Sequence, residues 1–207
     1  MYARIKICGI TSVEDAIFVA QSGADAIGLV FYAPSPRAIS IDQARSIVQA
    51  VPPFVTTVAL FVDAEATRIN QVVEQVGVDH LQFHGKESPA FCDQFSRPWM
   101  KAIRMRSEVD LLAEADRYAA ASALLVDGYQ PGVPGGTGEV FDWQRIPPTL
   151  ERPLVLAGGL NSENVAEAIR QTRPWAVDVS GGVERAKGVK SRDKVARFIE
   201  QVRETPF

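Results

Sequence analysis

Short apolar runs alternate with amphipathic stretches along most of the chain. Residues 25–31 are almost continuously apolar, which is typical of a strand buried on both faces. The stretches between such runs begin at capping residues and several end at glycine, as helices do. The predicted strands cover residues 4–8, 25–31, 55–62, 79–83, 99–104, 123–126, 153–157 and 175–179.

A helix is predicted after each strand. Thr11 or Ser12 would cap the first helix, which ends at Gly23, and Asp142 and Asn161 would begin the two helices after strands six and seven. The remaining predicted helices cover residues 40–50, 64–76, 88–95, 107–120 and 191–203.

Eight strand–helix units in succession indicate a parallel sheet, and closing that sheet removes its exposed edges. We therefore expect an α/β protein whose residues 1–207 form one compact domain, a single (β/α)8 TIM barrel. An open doubly wound sheet is the alternative. It should carry a nucleotide fingerprint after its first strand, and Cys8-Gly9-Ile10-Thr11 is not one.

The composition narrows the class of protein. A net charge of −3 and the lack of a long basic run argue against nucleic-acid binding. No apolar stretch approaches the roughly 20 residues that span a bilayer, and the start of the chain lacks a signal-peptide core. A cytoplasmic protein without membrane contact is the default expectation. Cys8 and Cys92 form no disulfide or metal pattern, and two histidines are too few for a typical zinc site.

Glycine pairs follow the last two predicted strands. Gly158-Gly159 precedes Asn161, and Gly181-Gly182 follows Ser180. Glycine lets backbone N–H groups approach a ligand, and the loops after strands seven and eight of such barrels commonly bind phosphate. Ordinary tight turns are the alternative for either pair alone.

Catalytic residues of these barrels lie at the C-terminal ends of strands. Cys8 ends strand one, with Lys6 two residues earlier on the same strand face, where its ammonium would favour a thiolate base. Asp127 ends strand six and could act as a general acid, and Arg37 in the loop after strand two could hold an anionic group. The alternatives are a buried apolar cysteine, a loop-capping aspartate and a solvated arginine.

An acid and a base beside a phosphate site suit proton transfer on a sugar phosphate, which is isomerase chemistry. No signature of a metal, flavin or nicotinamide site is visible in the sequence, so we expect no cofactor. Three alternatives stay open. The first is the isomerase of histidine biosynthesis, which resembles this chain but has two aspartates at its site, one of them in place of Cys8. The others are a metal-dependent epimerase, which needs several metal ligands, and a non-catalytic phosphate-binding barrel.

Several segments, taken together and in this order, form a specific pattern. They are Lys6-Ile7-Cys8-Gly9-Ile10-Thr11, Ser35-Pro36-Arg37, Leu81-Gln82-Phe83-His84-Gly85, Asp127, Gly135-Gly136-Thr137-Gly138, Phe141-Asp142-Trp143, Leu156-Ala157-Gly158-Gly159-Leu160 and Val177-Asp178-Val179-Ser180-Gly181-Gly182-Val183-Glu184. With them the chain resembles the phosphoribosylanthranilate isomerase family of tryptophan biosynthesis over essentially its whole length. At position 181 this sequence has glycine where the family more usually has serine.

The resemblance implies an Amadori rearrangement of N-(5-phosphoribosyl)anthranilate without a cofactor, the third step from chorismate to tryptophan. Cys8 would be the base, Asp127 the acid and Arg37 the ligand of the anthranilate carboxylate. The loop of residues 128–138 would close over the substrate. Family members occur as monomers or homodimers. Other substrate-binding residues would be Lys6, Gln82 and His84, and the phosphate would contact Gly159, Asn161, Asp178, Ser180, Gly181 and Gly182.

Overall fold

The computed structural model describes residues 2–128 and 141–207. Its eight predicted strands pair in parallel, in chain order, and close into a barrel. The expected TIM barrel is therefore confirmed, and the open sheet is excluded. The strands are β1 Arg4–Cys8, β2 Ala26–Val30, β3 Thr56–Phe61, β4 His80–Phe83, β5 Trp99–Arg104, β6 Ala123–Asp127, β7 Leu154–Leu156 and β8 Ala176–Val179.

Helices cover the outside of the barrel. Ser12 caps α1 by accepting a hydrogen bond from the Asp15 N–H, and Ser40 forms a reciprocal capping box with Gln43 at the start of α2. Gly77 ends α3 in the left-handed conformation. The helices are α1 Val13–Gln21, α2 Ile41–Ala50, α3 Ala66–Val76, α4 Pro89–Cys92, α5 Leu111–Arg117, α6 Val165–Thr172 and α7 Arg192–Arg203.

Several predicted helices are shorter than expected. The helix predicted over residues 107–120 begins only after Asp110, whose carboxylate caps it, and the one predicted over residues 88–95 ends at Cys92. The helix expected from Asp142 is a single 3₁₀ turn, Trp143–Arg145. Asn161 does not cap α6, because its carboxamide oxygen accepts from backbone N–H groups of a turn that precedes the helix.

Alternate residues of each strand face different parts of the core. In β5, Met100 and Ala102 pack inside the barrel with Leu125 and Val155, whereas Trp99 belongs to the larger core between barrel and helices. Both sets are buried, so nearly continuous apolar strands are what this architecture requires. No helix in the described parts of the chain is long and apolar enough to cross a membrane.

A small antiparallel hairpin interrupts the alternation after β8. A 3₁₀ turn over Gly181–Val183 leads into β9 Glu184–Ala186, which pairs with β10 Val189–Lys190 before α7 begins. The helix predicted over residues 191–203 follows the hairpin as α7, which begins after Ser191. The hairpin places Glu184 and Lys190 opposite each other beside the C-terminal end of the barrel.

Candidate active site

A cleft of about 390 Å³ opens among the loops that follow the C-terminal ends of the barrel strands. Apolar side chains of β2, β3 and their loops form part of its wall. Every site residue predicted from the sequence lines this cleft except Lys6. The predicted residues at the cleft are Cys8, Arg37, Gln82, His84, Asp127, Gly159, Asn161, Asp178, Ser180, Gly181 and Gly182.

Cys8 lies at the end of β1, in register with Gly28 of the neighbouring β2. A Cβ atom added to Gly28 would lie 2.6 Å from Sγ of Cys8 and 3.1 Å from Nζ of Lys6, so this glycine supplies the space that both side chains occupy. Lys6 donates a 2.8 Å hydrogen bond to Asp178 across the β1–β8 pair, and the two side chains are almost fully buried. Lys6 therefore lies beneath the cleft.

The charges around Cys8 act in opposite directions on its thiol. Burial raises the pKa of Cys8 above its ordinary value, and Asp178 adds to this effect, whereas Lys6 and Lys190 act to lower the pKa. Lys6 thus favours the thiolate, as expected, but burial acts in the opposite direction and outweighs it. Burial also acts to lower the pKa of Lys6, but Asp178 and Cys8 together outweigh it and raise that pKa.

Asp127 is buried at the end of β6 and faces a histidine. Nε2 of His84 lies 3.2 Å from Oδ2 of Asp127, although the two atoms are not aligned as a hydrogen bond. The other ring nitrogen, Nδ1, is 3.1 Å from the Gln82 amide nitrogen. Gln82 Oε1 and Ser180 Oγ are buried without a partner among the described residues. Several polar atoms at the cleft are thus available to a ligand.

Arg37 reaches the cleft from the loop after β2. Its Nε and Nη2 donate to the two carboxylate oxygens of Glu184, at 2.7 and 2.8 Å. This bidentate pairing raises the pKa of Arg37 further, so the guanidinium stays charged. It uses one edge of the guanidinium, and no described residue accepts from the other edge, which could meet a second carboxylate. The alternative of a solvated arginine is therefore wrong.

The two glycine pairs lie side by side at one end of the cleft. Gly158 and Gly159 have φ angles of 82° and 67°, which favour glycine. Gly181 and Gly182 begin a 3₁₀ turn, where N–H groups have no partner within the turn. A Cβ atom added to Gly182 would clash with the backbone oxygen of Leu160, so the two loops are in contact. The backbone N–H of Asn161 is already taken by the Asn164 side chain, at 2.9 Å.

Sequence reasoning missed three residues at this site. Glu184 was part of a matching segment but received no role, and neither Gly28 nor Lys190 was singled out. Pairing of β1 with β2 brings Gly28 next to Cys8, and the β9–β10 hairpin brings Lys190 opposite Glu184. Neither contact leaves a local signal in the sequence. Most of the loop expected to close over the cleft lies outside the described residues.

The geometry can be compared with known proteins. The family model described as N-(5'phosphoribosyl)anthranilate (PRA) isomerase matches residues 5–201. The chain belongs to this family. The curated N-(5'-phosphoribosyl)anthranilate isomerase of Stutzerimonas stutzeri is 58% identical over 200 residues, covering 97% of either chain. That of Cellvibrio japonicus is 59% identical over 196 residues, covering 95% of this chain and 91% of its own.

Solved members of the phosphoribosylanthranilate isomerase family share the whole fold. The Thermotoga maritima enzyme superposes with a TM-score of 0.91 at 42% identity, covering 98% of this chain and 99% of its own. A second structure, a complex with reduced 1-(o-carboxyphenylamino)-1-deoxyribulose 5-phosphate, gives a TM-score of 0.87 at 40% identity, covering 98% and 99%. Family membership decides against the histidine-pathway, epimerase and non-catalytic alternatives.

Proposed function

We propose that Cys8 and Asp127 carry out the isomerisation in this cleft as general base and general acid. As a member of its family the chain is an isomerase that converts N-(5-phospho-β-D-ribosyl)anthranilate to 1-(2-carboxyphenylamino)-1-deoxy-D-ribulose 5-phosphate in tryptophan biosynthesis. The observation that carries the residue roles is the placement of both groups at one cleft, on strands separated by β7 and β8, whose loops hold the glycine pairs.

The reaction needs two proton transfers. Asp127, in its acid form, donates a proton to the furanose ring oxygen as the bond between that oxygen and C1 breaks, which leaves a protonated Schiff base. Cys8, as the thiolate, removes the proton from C2, and the electron pair moves to give the enolamine. The enolamine then tautomerises to the ketone. Because the pKa of Cys8 is raised, a smaller fraction is ionised at neutral pH, but the thiolate that forms is a stronger base.

His84 supports the acid in this scheme. Its Nε2 atom is 3.2 Å from Asp127, close enough to tighten into a hydrogen bond when substrate binds. The Gln82 amide contacts Nδ1 and restrains rotation of the imidazole ring, which keeps Nε2 directed at Asp127. The unpaired Oε1 of Gln82 is left for a hydroxyl of the sugar.

The two ends of the substrate differ in chemistry, and different groups of the cleft would bind them. The free edge of the Arg37 guanidinium would bind the anthranilate carboxylate, and Val30, Leu60 and Val62 offer an apolar wall for its ring. Backbone N–H groups of Gly159, Gly181 and Gly182 would bind the phosphate, together with the Ser180 hydroxyl, which has no partner among the described residues. Arg37 lies close to this group, since a Cβ atom added to Gly181 would lie 3.3 Å from its Nη2.

Two sequence expectations about binding are adjusted here. Lys6 and Asp178 would act on the substrate indirectly, because each already binds the other. A carboxylate also repels a phosphate, so the role of Asp178 is to hold Lys6 next to Cys8. Asn161 would contact the phosphate through its side-chain amide, since its backbone N–H is occupied.

An assay with freshly made substrate tests the assignment of the acid. Turnover is followed as the loss of anthranilate-type fluorescence, and Asp127→Asn is compared with the parent protein. We expect turnover of the closed sugar to fall by about 10²- to 10⁴-fold, the usual contribution of a positioned acid. Binding of the reduced product, measured on both proteins, is the control for damage to the cleft. Unchanged turnover of the closed sugar by Asp127→Asn would remove Asp127 from this role.

The wider expectations are also part of the proposal. We propose that residues 1–207 act as one catalytic domain that works in the cytoplasm as a monomer or homodimer and needs no cofactor. One solved relative is described as monomers generated from a dimeric enzyme, at 39% identity. Sedimentation velocity over a hundredfold range of protein concentration distinguishes the two states of this chain, and turnover after exhaustive chelation and dialysis tests the cofactor expectation.

A further inference from the structure

The β9–β10 hairpin carries a buried lysine that takes no part in the steps above. Nζ of Lys190 donates to the backbone oxygens of Cys8 and Ser180, at 2.6 and 3.2 Å, and to Oε1 of Glu184, at 2.9 Å. Only 1% of its side chain is exposed. One ammonium group therefore joins the ends of β1 and β8 to the carboxylate of Glu184.

Glu184 extends this network to Arg37. The same oxygen that accepts from Lys190 also accepts from Nε of Arg37, and its second oxygen accepts from Nη2. The backbone of the proposed base and the guanidinium of the proposed carboxylate ligand are thus linked through Lys190 and Glu184. A change at Lys190 would reach both.

The hairpin that delivers Lys190 is itself tightly held. Thr11 donates to the backbone oxygen of Gly188 at 2.6 Å, and the Lys190 N–H donates to Asp15 at 3.1 Å. Gly188 has a φ of 80°, and a Cβ atom there would lie 3.0 Å from the backbone oxygen of Pro36. Contacts with the segments that follow β1 and β2 therefore fix the position of the hairpin and of Lys190.

Stability alone does not account for a lysine at this position. Removing an ammonium from water costs several kcal/mol, and well-packed apolar residues often replace a buried ion pair at no loss of stability. Burial lowers the pKa of Lys190, which reflects this cost. What an apolar residue cannot supply is a donor that fixes two strand ends and a carboxylate at once.

We propose that Lys190 is a positioning residue for the isomerisation, which sets Cys8 through its backbone oxygen and aims Arg37 through Glu184. Lys190 does not line the cleft and touches no substrate in this role. The inference rests on the proposed function, since it assumes that Cys8 and Arg37 act on the substrate.

The charges that face Cys8 allow a measurement that distinguishes positioning from a merely structural role, namely the pH at which the thiol ionises. These charges are Lys6 from β1, Asp178 from β8, Lys190 from β10 and Arg37 from the loop after β2. Removing Lys190 leaves Cys8 with one cation fewer at short range. The thiol should then ionise at higher pH.

The test compares Lys190→Met with Lys187→Met, an exposed lysine in the turn of the same hairpin. We expect Lys190→Met to lose about 10- to 100-fold in kcat/KM, the size of effect that small misplacements produce. The midpoint of Cys8 alkylation by iodoacetamide should move to higher pH. Mapping of the modified peptides distinguishes alkylation at Cys8 from alkylation at Cys92, whose pKa burial raises to about 12. Lys187→Met should match the parent in both measurements.

A folded Lys190→Met protein with kcat/KM within twofold of the parent and an unmoved alkylation midpoint would overturn the proposal. If that variant does not fold, Glu184→Gln decides: KM should rise about tenfold with a smaller change in kcat, and an unchanged KM would equally overturn it. Cys8→Ser is measured in parallel. Activity that survives in Cys8→Ser defeats the proposed function, whereas normal Lys190→Met beside inactive Cys8→Ser defeats the positioning role alone.

Discussion

Gly28→Ala should slow catalysis in a protein that still folds. The added Cβ would lie 2.6 Å from Sγ of Cys8 and 3.0 Å from its Cα, whereas ordinary contacts are about 3.5–4.0 Å. The thiol must therefore move by roughly 1 Å, because the backbone on both sides is held by the β1–β2 pairing. A displacement of this size costs about 10²-fold in rate, or about 2.7 kcal/mol in the activation free energy.

The loss of stability should be moderate. Overpacking of a filled interior by one methyl group costs about 1–3 kcal/mol in the free energy of unfolding. Gly77→Ala is a suitable control, since Gly77 has a φ of 76° and no atom within 4 Å of an added Cβ. Alanine in that left-handed conformation costs about 1–2 kcal/mol without touching the cleft.

Saturation kinetics and urea unfolding are measured on the two variants and the parent. We expect kcat to fall about 100-fold in Gly28→Ala and to stay at the parental value in Gly77→Ala, although both unfold at lower urea concentration. A kcat for Gly28→Ala within twofold of the parent would show that the position of Cys8 next to Gly28 is not what sets the rate.

Three further predictions concern charged groups. Arg37→Ala should raise KM by about 10- to 150-fold with little change in kcat, since a charge-assisted hydrogen bond contributes about 1.5–3 kcal/mol; a change in kcat alone would contradict the carboxylate role. Asp178→Asn should lower the free energy of unfolding in urea by about 3–5 kcal/mol because it leaves Lys6 buried without its partner, and Lys6→Met in the same protein should recover part of the loss. Burial acts to raise the pKa of Glu184, but Arg37 and Lys190 outweigh it and hold that pKa below its ordinary value. The ionised Glu184 therefore stabilises the fold above its unfolded pKa of about 4.3, and this contribution should disappear as the pH falls through the folded pKa. In Glu184→Gln, the free energy of unfolding should depend less steeply on pH in this range.

The barrel could be predicted from the sequence because each strand is buried on both faces and each helix carries its own signals. The apolar run before Cys8 and the cap at Ser12 are local features, which can be recognised without knowledge of tertiary contacts. Helix lengths were less predictable. The helix predicted from residue 107 begins only after Asp110, which caps α5. The residue at which a helix begins depends on packing, which the sequence does not show.

The site was partly predictable for a related reason. Residues at strand ends, such as Cys8 and Asp127, must meet at one end of a parallel barrel, so their shared cleft follows from the fold. The partners of these residues do not follow. Glu184 and Lys190 meet Arg37 and Cys8 through a hairpin that joins segments about 150 to 180 residues apart, and no periodic pattern records such a contact. The raised pKa of Cys8 could not be predicted, because the cost of burial depends on tertiary packing.

The most direct test of the central claim is turnover by Cys8→Ser, measured together with binding of the reduced product found in the complex of a solved relative. The substitution removes the thiol and little volume. If Cys8 is the base, turnover of freshly made substrate should fall by at least about 10²-fold while the reduced product binds as it does to the parent. Turnover near the parental rate would contradict the assignment of Cys8 and, with it, the mechanism proposed for this cleft.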